Sequence, residues 1–118
     1  MRQPSEEISE TVLKWRDVTA QPHRFGGIEF RIGKREIGHL HGNSLLDVPF
    51  PRSVRNELVA DGKAEPHHIL PESGWISFRI RNRNDVGRAL DLMRRSYELA
   101  TESAERRSHN ATVLGQQP

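Results

Sequence analysis

Apolar and polar residues alternate along Gly27-Ile28-Glu29-Phe30-Arg31-Ile32, and a second strand-like run, Arg35-Glu36-Ile37-Gly38-His39-Leu40-His41, follows after Gly33-Lys34. Period-two alternation predicts half-buried strands, and a two-residue spacer with glycine predicts the hairpin turn that joins them. In that hairpin Ile32 faces Arg35, Phe30 faces Ile37 and Ile28 faces His39. Cross-strand partners share a face, so this register sets His39 and His41 on the apolar face with Ile28, Phe30 and Ile37.

A period near 3.6 marks three helices. Ser5 precedes Glu6 and Glu7, and Ile8, Val12 and Trp15 share one face of a first helix that ends before Gln21-Pro22. A second helix, roughly 52–61, opens after Pro51, buries Val54 and Leu58, and stops at Gly62, a good residue just past a helix end. A last helix begins near Asn82 or Asn84, and Val86, Leu90, Met93 and Tyr97 form its buried stripe. Three further strands fill the gaps: one around Leu45, Leu46 and Val48, a short one over His67-His68-Ile69-Leu70, and Trp75–Ile80 with Ile76, Phe78 and Ile80 inward. The element order α-β-β-β-α-β-β-α implies an α+β fold, an antiparallel sheet with helices packed on one face. The expected core is Ile28, Phe30, Ile37, Ile76, Phe78, Val86, Leu90 and Met93.

Composition narrows the class. The 118 residues are 34 % hydrophobic and 29 % charged, with a mean hydropathy of −0.74, which fits one small domain over residues 1–101 and a disordered polar tail over 102–118. No apolar run approaches the ~18 residues of a membrane span, and no signal peptide is visible, so a cytoplasmic chain is expected. Without cysteine there is no disulfide, thiolate metal site or thiol catalysis. The net charge is only +2, and Arg79, Arg81, Arg83, Arg88, Arg94 and Arg95 read as a solvated face rather than a nucleic-acid footprint.

The candidate chemistry is carried by histidine. His39 and His41 stand two apart on a strand and share a face. Adjacent strand residues face opposite ways, so only one of His67 and His68 can join them. Asp47 faces either the histidines or solvent. Trp75 falls out of phase with its strand, and walls a pocket or covers an edge.

The element order resembles secretion-chaperone-like folds, in the branch of the small YjbR-like proteins. A sharper resemblance rests on Arg35-Glu36-Ile37-Gly38-His39-Leu40-His41, which is similar to the Arg-Glu-Ile-small-His-hydrophobic-His motif of the fungal luciferase family. Asp61-Gly62-Lys63, His68 with Leu70, Trp75, and Ser96-Tyr97 follow in the same order. The resemblance implies a soluble luciferase-domain protein with a pocket for a planar, hydroxylated aromatic or pyrone-like molecule, and an oxygenase that uses molecular oxygen as co-substrate without a known organic cofactor. It selects His68 over His67.

On this reading His39, His41 and His68 are the catalytic candidates, and Arg35, Asp47, Trp75 and Phe30 line the substrate. One histidine would take a proton from an acidic enol or phenol and another would hold the developing oxyanion. The same three histidines could instead bind a divalent metal such as zinc. The alternatives to an oxygenase are a non-catalytic small-molecule-binding module and a YjbR-like interaction domain.

Overall fold

Among the described residues nine elements follow one another: α1 (Pro4–Val12), β1 (Val18–Pro22), β2 (Ile28–Ile32), β3 (Arg35–His41), β4 (Leu45–Pro49), α2 (Arg52–Ala60), β5 (Glu65–Pro66), β6 (Trp75–Arg79) and α3 (Asn84–Gly115). The structure, a computed structural model, describes residues 2–23 and 26–115, with side chains described through residue 108. The strands form one antiparallel sheet in the order β1-β2-β3-β4-β6-β5. α1 and α3 pack together, α3 lies against β2, β3 and β4, and α2 lies against β5 and β6. The α+β class and the antiparallel sheet are those expected from the sequence, with one strand more.

That strand is β1. The first helix stops at Val12, short of the predicted end, and Asp17 takes a left-handed φ of 67° that turns the chain into β1. Ile8 and Val12 are fully buried, while Trp15 sits beyond the helix and packs on Tyr97 with ring centroids 5.2 Å apart. α2 ends as expected. Gly62 has φ 72°, its N–H donates to Val59 O and the Lys63 N–H donates to Leu58 O, which satisfies the last carbonyls of the helix. α3 continues through the predicted disordered tail to Gly115. Residues 102–107 are mostly good helix formers, so the helix propagates although no apolar stripe extends that far; residues 116–118 lie outside the described part.

The hairpin register differs from the expected one. Ile32 faces Arg35 and Arg31 faces Glu36, but Phe30 faces Gly38, so Ile37 is an extra residue in β3, a β-bulge. From there on every partner shifts by one: Glu29 faces His39, and Ile28 faces Leu40. The shift reverses the predicted facing. The helix-covered face carries Phe30, Gly38, Leu40, Leu46, Val48, Ile76 and Phe78; a Cβ added at Gly38 would come within 2.5 Å of Met93 Sδ on α3. His39 and His41 lie on the opposite face. Of the expected core, Phe30, Ile37, Ile76, Phe78, Val86 and Met93 are buried, Leu90 is half-buried, and Ile28 is exposed at the start of β2.

Candidate active site

The face opposite α3 is crossed by one row of cross-strand partners, Gln21, Glu29, His39, Asp47, Ser77 and Glu65, which touches all six strands. Asp47 is at its centre. Its side chain has 0 % exposure, and its two oxygens are used differently. Oδ1 accepts a 2.7 Å hydrogen bond from the Ser77 hydroxyl. Oδ2 is approached by four imidazole nitrogens: His39 Nε2 at 3.2 Å, His41 Nε2 at 3.0 Å, His67 Nε2 at 3.4 Å and His68 Nε2 at 3.0 Å.

The imidazoles arrive by two kinds of local device. His39 and His41 come from strand alternation in β3. Glu36, three residues before His39, would face away from it in a regular strand. The bulge at Ile37 absorbs the odd step, and the Glu36 carboxylate pairs with His39 Nδ1. His67 and His68 do not lie in a strand, contrary to expectation, because β5 ends at Pro66. His67 Nδ1 accepts the backbone N–H groups of Ile69 and Leu70 at 3.1 and 3.0 Å, so these amides bond to a side chain rather than to a neighbouring strand. The His68 N–H donates to Ser77 Oγ at 3.3 Å. Freed from alternation, both histidines reach Asp47, where the sequence allowed only one. His23, in the β1–β2 connection, stacks on His39 with centroids 4.0 Å apart. Trp75 stands 5.3 Å from the His39 ring and 6.0 Å from that of His67.

Of the residues expected at the site, His39, His41, His68, Asp47 and Trp75 are therefore together. Phe30 is not: it is buried in the core under the helices. Arg35 is exposed at the turn end of β3, four residues or about 13 Å along the strand from His39. Glu36, His67 and His23 are the neighbours that the sequence did not single out. For Glu36 the odd spacing Glu-Ile-Gly-His was a signal only if a bulge was suspected. Strand alternation admitted only one of His67 and His68, and the family resemblance favoured His68; for His23 the only hint was the concentration of histidine in a chain with six of them.

The electrostatics follow from this crowding. Burial alone would lower the pKa of His39, but Asp47 and Glu36 more than offset it and raise the pKa from 6.5 to about 9. Burial also opposes the charge on Asp47, yet His39, Ser77 and His68 hold its carboxyl far below the usual carboxylate range. His67 is lowered, because burial outweighs the attraction of Asp47. His39 and His67 form the floor of the cluster, while His41 and His68, 29 % and 33 % exposed, form its open rim. Ligand atoms of His39, His41 and Asp47 lie within 4.8 Å of one another, as do those of Asp47, His67 and His68, and of His23, Glu36 and His39.

A family model described as the luciferase domain matches residues 34–96, more than half of the chain. The chain belongs to the luciferase-domain family. The matched segment runs from the β2–β3 turn to near the middle of α3, and so takes in all of these histidines except His23. No curated protein matches the chain, and no solved structure does. Other luciferase-like residues noted in the sequence have structural surroundings. Ser96 Oγ donates to Pro49 O and Tyr97 OH to Arg16 O, at 3.4 and 2.9 Å. Asp61, Gly62 and Lys63 line a cleft of about 470 Å³ with Leu58, Phe78 and Arg88, on the helix side of the sheet.

Proposed function

We propose that this luciferase-domain protein is a metal-assisted oxygenase whose chemistry takes place at the Asp47 cluster, on a planar, hydroxylated aromatic or pyrone-like molecule. The observation that carries the reading is the approach of four Nε2 atoms to one carboxylate oxygen, at 3.0 to 3.4 Å. A carboxylate oxygen offers about two lone-pair sites, so four separate hydrogen bonds exceed its capacity. Atoms that share a cation at about 2.0–2.2 Å stand roughly 3.0–3.5 Å apart, which is the spacing found here. Asp47 would hold the cation with His39 and His41 on one side or with His67 and His68 on the other. Two histidines and one carboxylate with open positions is a ligand set suited to oxygen chemistry at a divalent metal.

When bound, such a metal supplies Lewis acidity toward a substrate oxygen. The protein supplies the rest. The exposed rim admits the ring edge of the substrate, and Trp75 offers an aromatic wall beside His39. An imidazole on the rim takes the enol or phenol proton, so that the electron-rich anion meets molecular oxygen over the buried floor of the cluster. No described helix is long and apolar enough to cross a membrane, which suits a ligand met in water.

The test pairs metal analysis of untagged protein with oxygen uptake on hydroxylated pyrones and catechols. We expect about one divalent metal per chain and uptake that is lost in Asp47→Asn and His41→Ala. Full uptake by metal-free protein would remove the metal from the mechanism. Binding without oxygen uptake, seen as a raised Tm, would leave a small-molecule-binding module instead.

A further inference from the structure

Two groups of ligand atoms share Asp47, and their hydrogen bonds set them apart. The inference rests on the metal reading above and sharpens it. We infer that the cation site is His39, His41 and Asp47, and that His67 is a fixed hydrogen-bond donor to Asp47 rather than a ligand.

His67 Nδ1 accepts two backbone N–H groups, from Ile69 at 3.1 Å and Leu70 at 3.0 Å. A nitrogen that accepts must keep its lone pair, so the ring's proton sits on Nε2. That N–H faces Asp47 Oδ2 across 3.4 Å. An Nε2 that carries a proton has no lone pair for a cation. To become a ligand, His67 would have to release both amides and unfold the turn that they fix.

His39 is built the other way round. The Glu36 carboxylate can only accept when ionised, so His39 Nδ1 donates to it. Nε2, 3.2 Å from Asp47 Oδ2, is then the nitrogen left for a cation. A histidine whose far nitrogen donates to a carboxylate is the usual arrangement of a metal-bound imidazole, since it fixes ring and tautomer. His41 completes the group at 3.0 Å from the same oxygen. With His67 excluded, the second group lacks a ligand. His68, on the rim, is then the imidazole that remains to exchange a proton with a bound molecule.

Two variants separate the nitrogens of His67. His67→Gln keeps a donor near the Nε2 position and loses the acceptor; His67→Asn keeps an acceptor near Nδ1 and loses the donor. Co²⁺ alone is the probe, read by its visible absorption bands. We expect both variants to bind one Co²⁺ within about tenfold of the unaltered chain, at the low end of the roughly 10–100-fold seen for groups behind the ligands. His41→Gln and Asp47→Asn should lose at least about 100-fold and shift the bands. Equal losses in His67→Gln and His41→Gln would overturn the assignment. If both His67 variants misfold, long-range ¹H–¹⁵N spectra of the unaltered, metal-free chain near neutral pH decide instead. They should find His67 neutral with its proton on Nε2; a proton on Nδ1 overturns the proposal. A chain that takes up no Co²⁺ ends the metal reading and the ligand assignment together, while the spectra still decide the donor role.

Discussion

Asp47 keeps a charge where water is excluded, and His39 answers it. The pair makes the stability of the chelator-treated protein depend on pH in a direction that can be worked out. His39 binds its proton more tightly when folded, with a pKa of about 9, than when unfolded, at 6.5. Its contribution is therefore complete below about pH 6.5 and lost as pH rises toward 9. Asp47 is shifted down, so its share is present above its ordinary 3.8 and lost as the solution becomes more acid. His67 acts the other way, since burial lowers its pKa and folding is weakened as it takes a proton below about pH 6.5. The Tm of the metal-free chain should therefore be highest near pH 6.5 and fall toward pH 9, by an amount worth a few kcal/mol. Asp47→Asn should flatten that fall; an unchanged profile would show that His39 draws its proton affinity from elsewhere. Glu36 acts on the same imidazole from its other nitrogen. Glu36→Gln should weaken metal binding by about 10–100-fold, measured by competition with a chelator, with little change in fold. At this scale the sequence was half legible. His39, His41 and His68 stood out as residue types, and Asp47 as an open choice. Glu36 and His67 did not, because what they do depends on which ring nitrogen each bond occupies.

The elements show why. Alternation correctly marked β2 and β3, but a bulge leaves no trace in composition: Ile37 looks like any other buried strand residue. One extra residue reversed the face assigned to both histidines. The segment His67–Leu70 has the composition of a strand and is none, because a side chain takes its amides. The long apolar stripe of α3 was legible, since about three turns of consistent spacing outweigh local accidents. Gly38 ties that helix to the bulged strand. A Cβ there would stand 2.5 Å from Met93 Sδ and 3.3 Å from the Asp47 carbonyl oxygen. Gly38→Ala should therefore cost about 1–3 kcal/mol by overpacking, read as a lower urea midpoint. The methionine end can yield, but the backbone of β4 has less room to. A midpoint within experimental error of the unaltered protein would show that α3 moves freely off this face.

At the scale of the molecule, the α+β class and antiparallel pairing followed from hairpin signals and short connections. The sixth strand, β1, escaped notice because Val18-Thr19-Ala20-Gln21 is short and weakly apolar, and directly follows a helical pattern; only Val18 of its five residues is buried. The sheet thus separates two environments. One face is a helix-packed core, and the other gathers the polar row that has the histidine cluster at its centre.

The cluster is divided along the chain as well as across the sheet. His39, His41 and Asp47 belong to the single hairpin of β3 and β4. His68 lies 21 positions beyond Asp47. In the time order of folding, a hairpin closes within about 1–10 μs, whereas contacts between distant segments must wait for longer loops to close. On the proposed ligand set, a cation meets a nearly complete site before the chain has its final form. Metal capture and folding are then one coupled process, and the second pair of imidazoles arrives as the closing of a site already made.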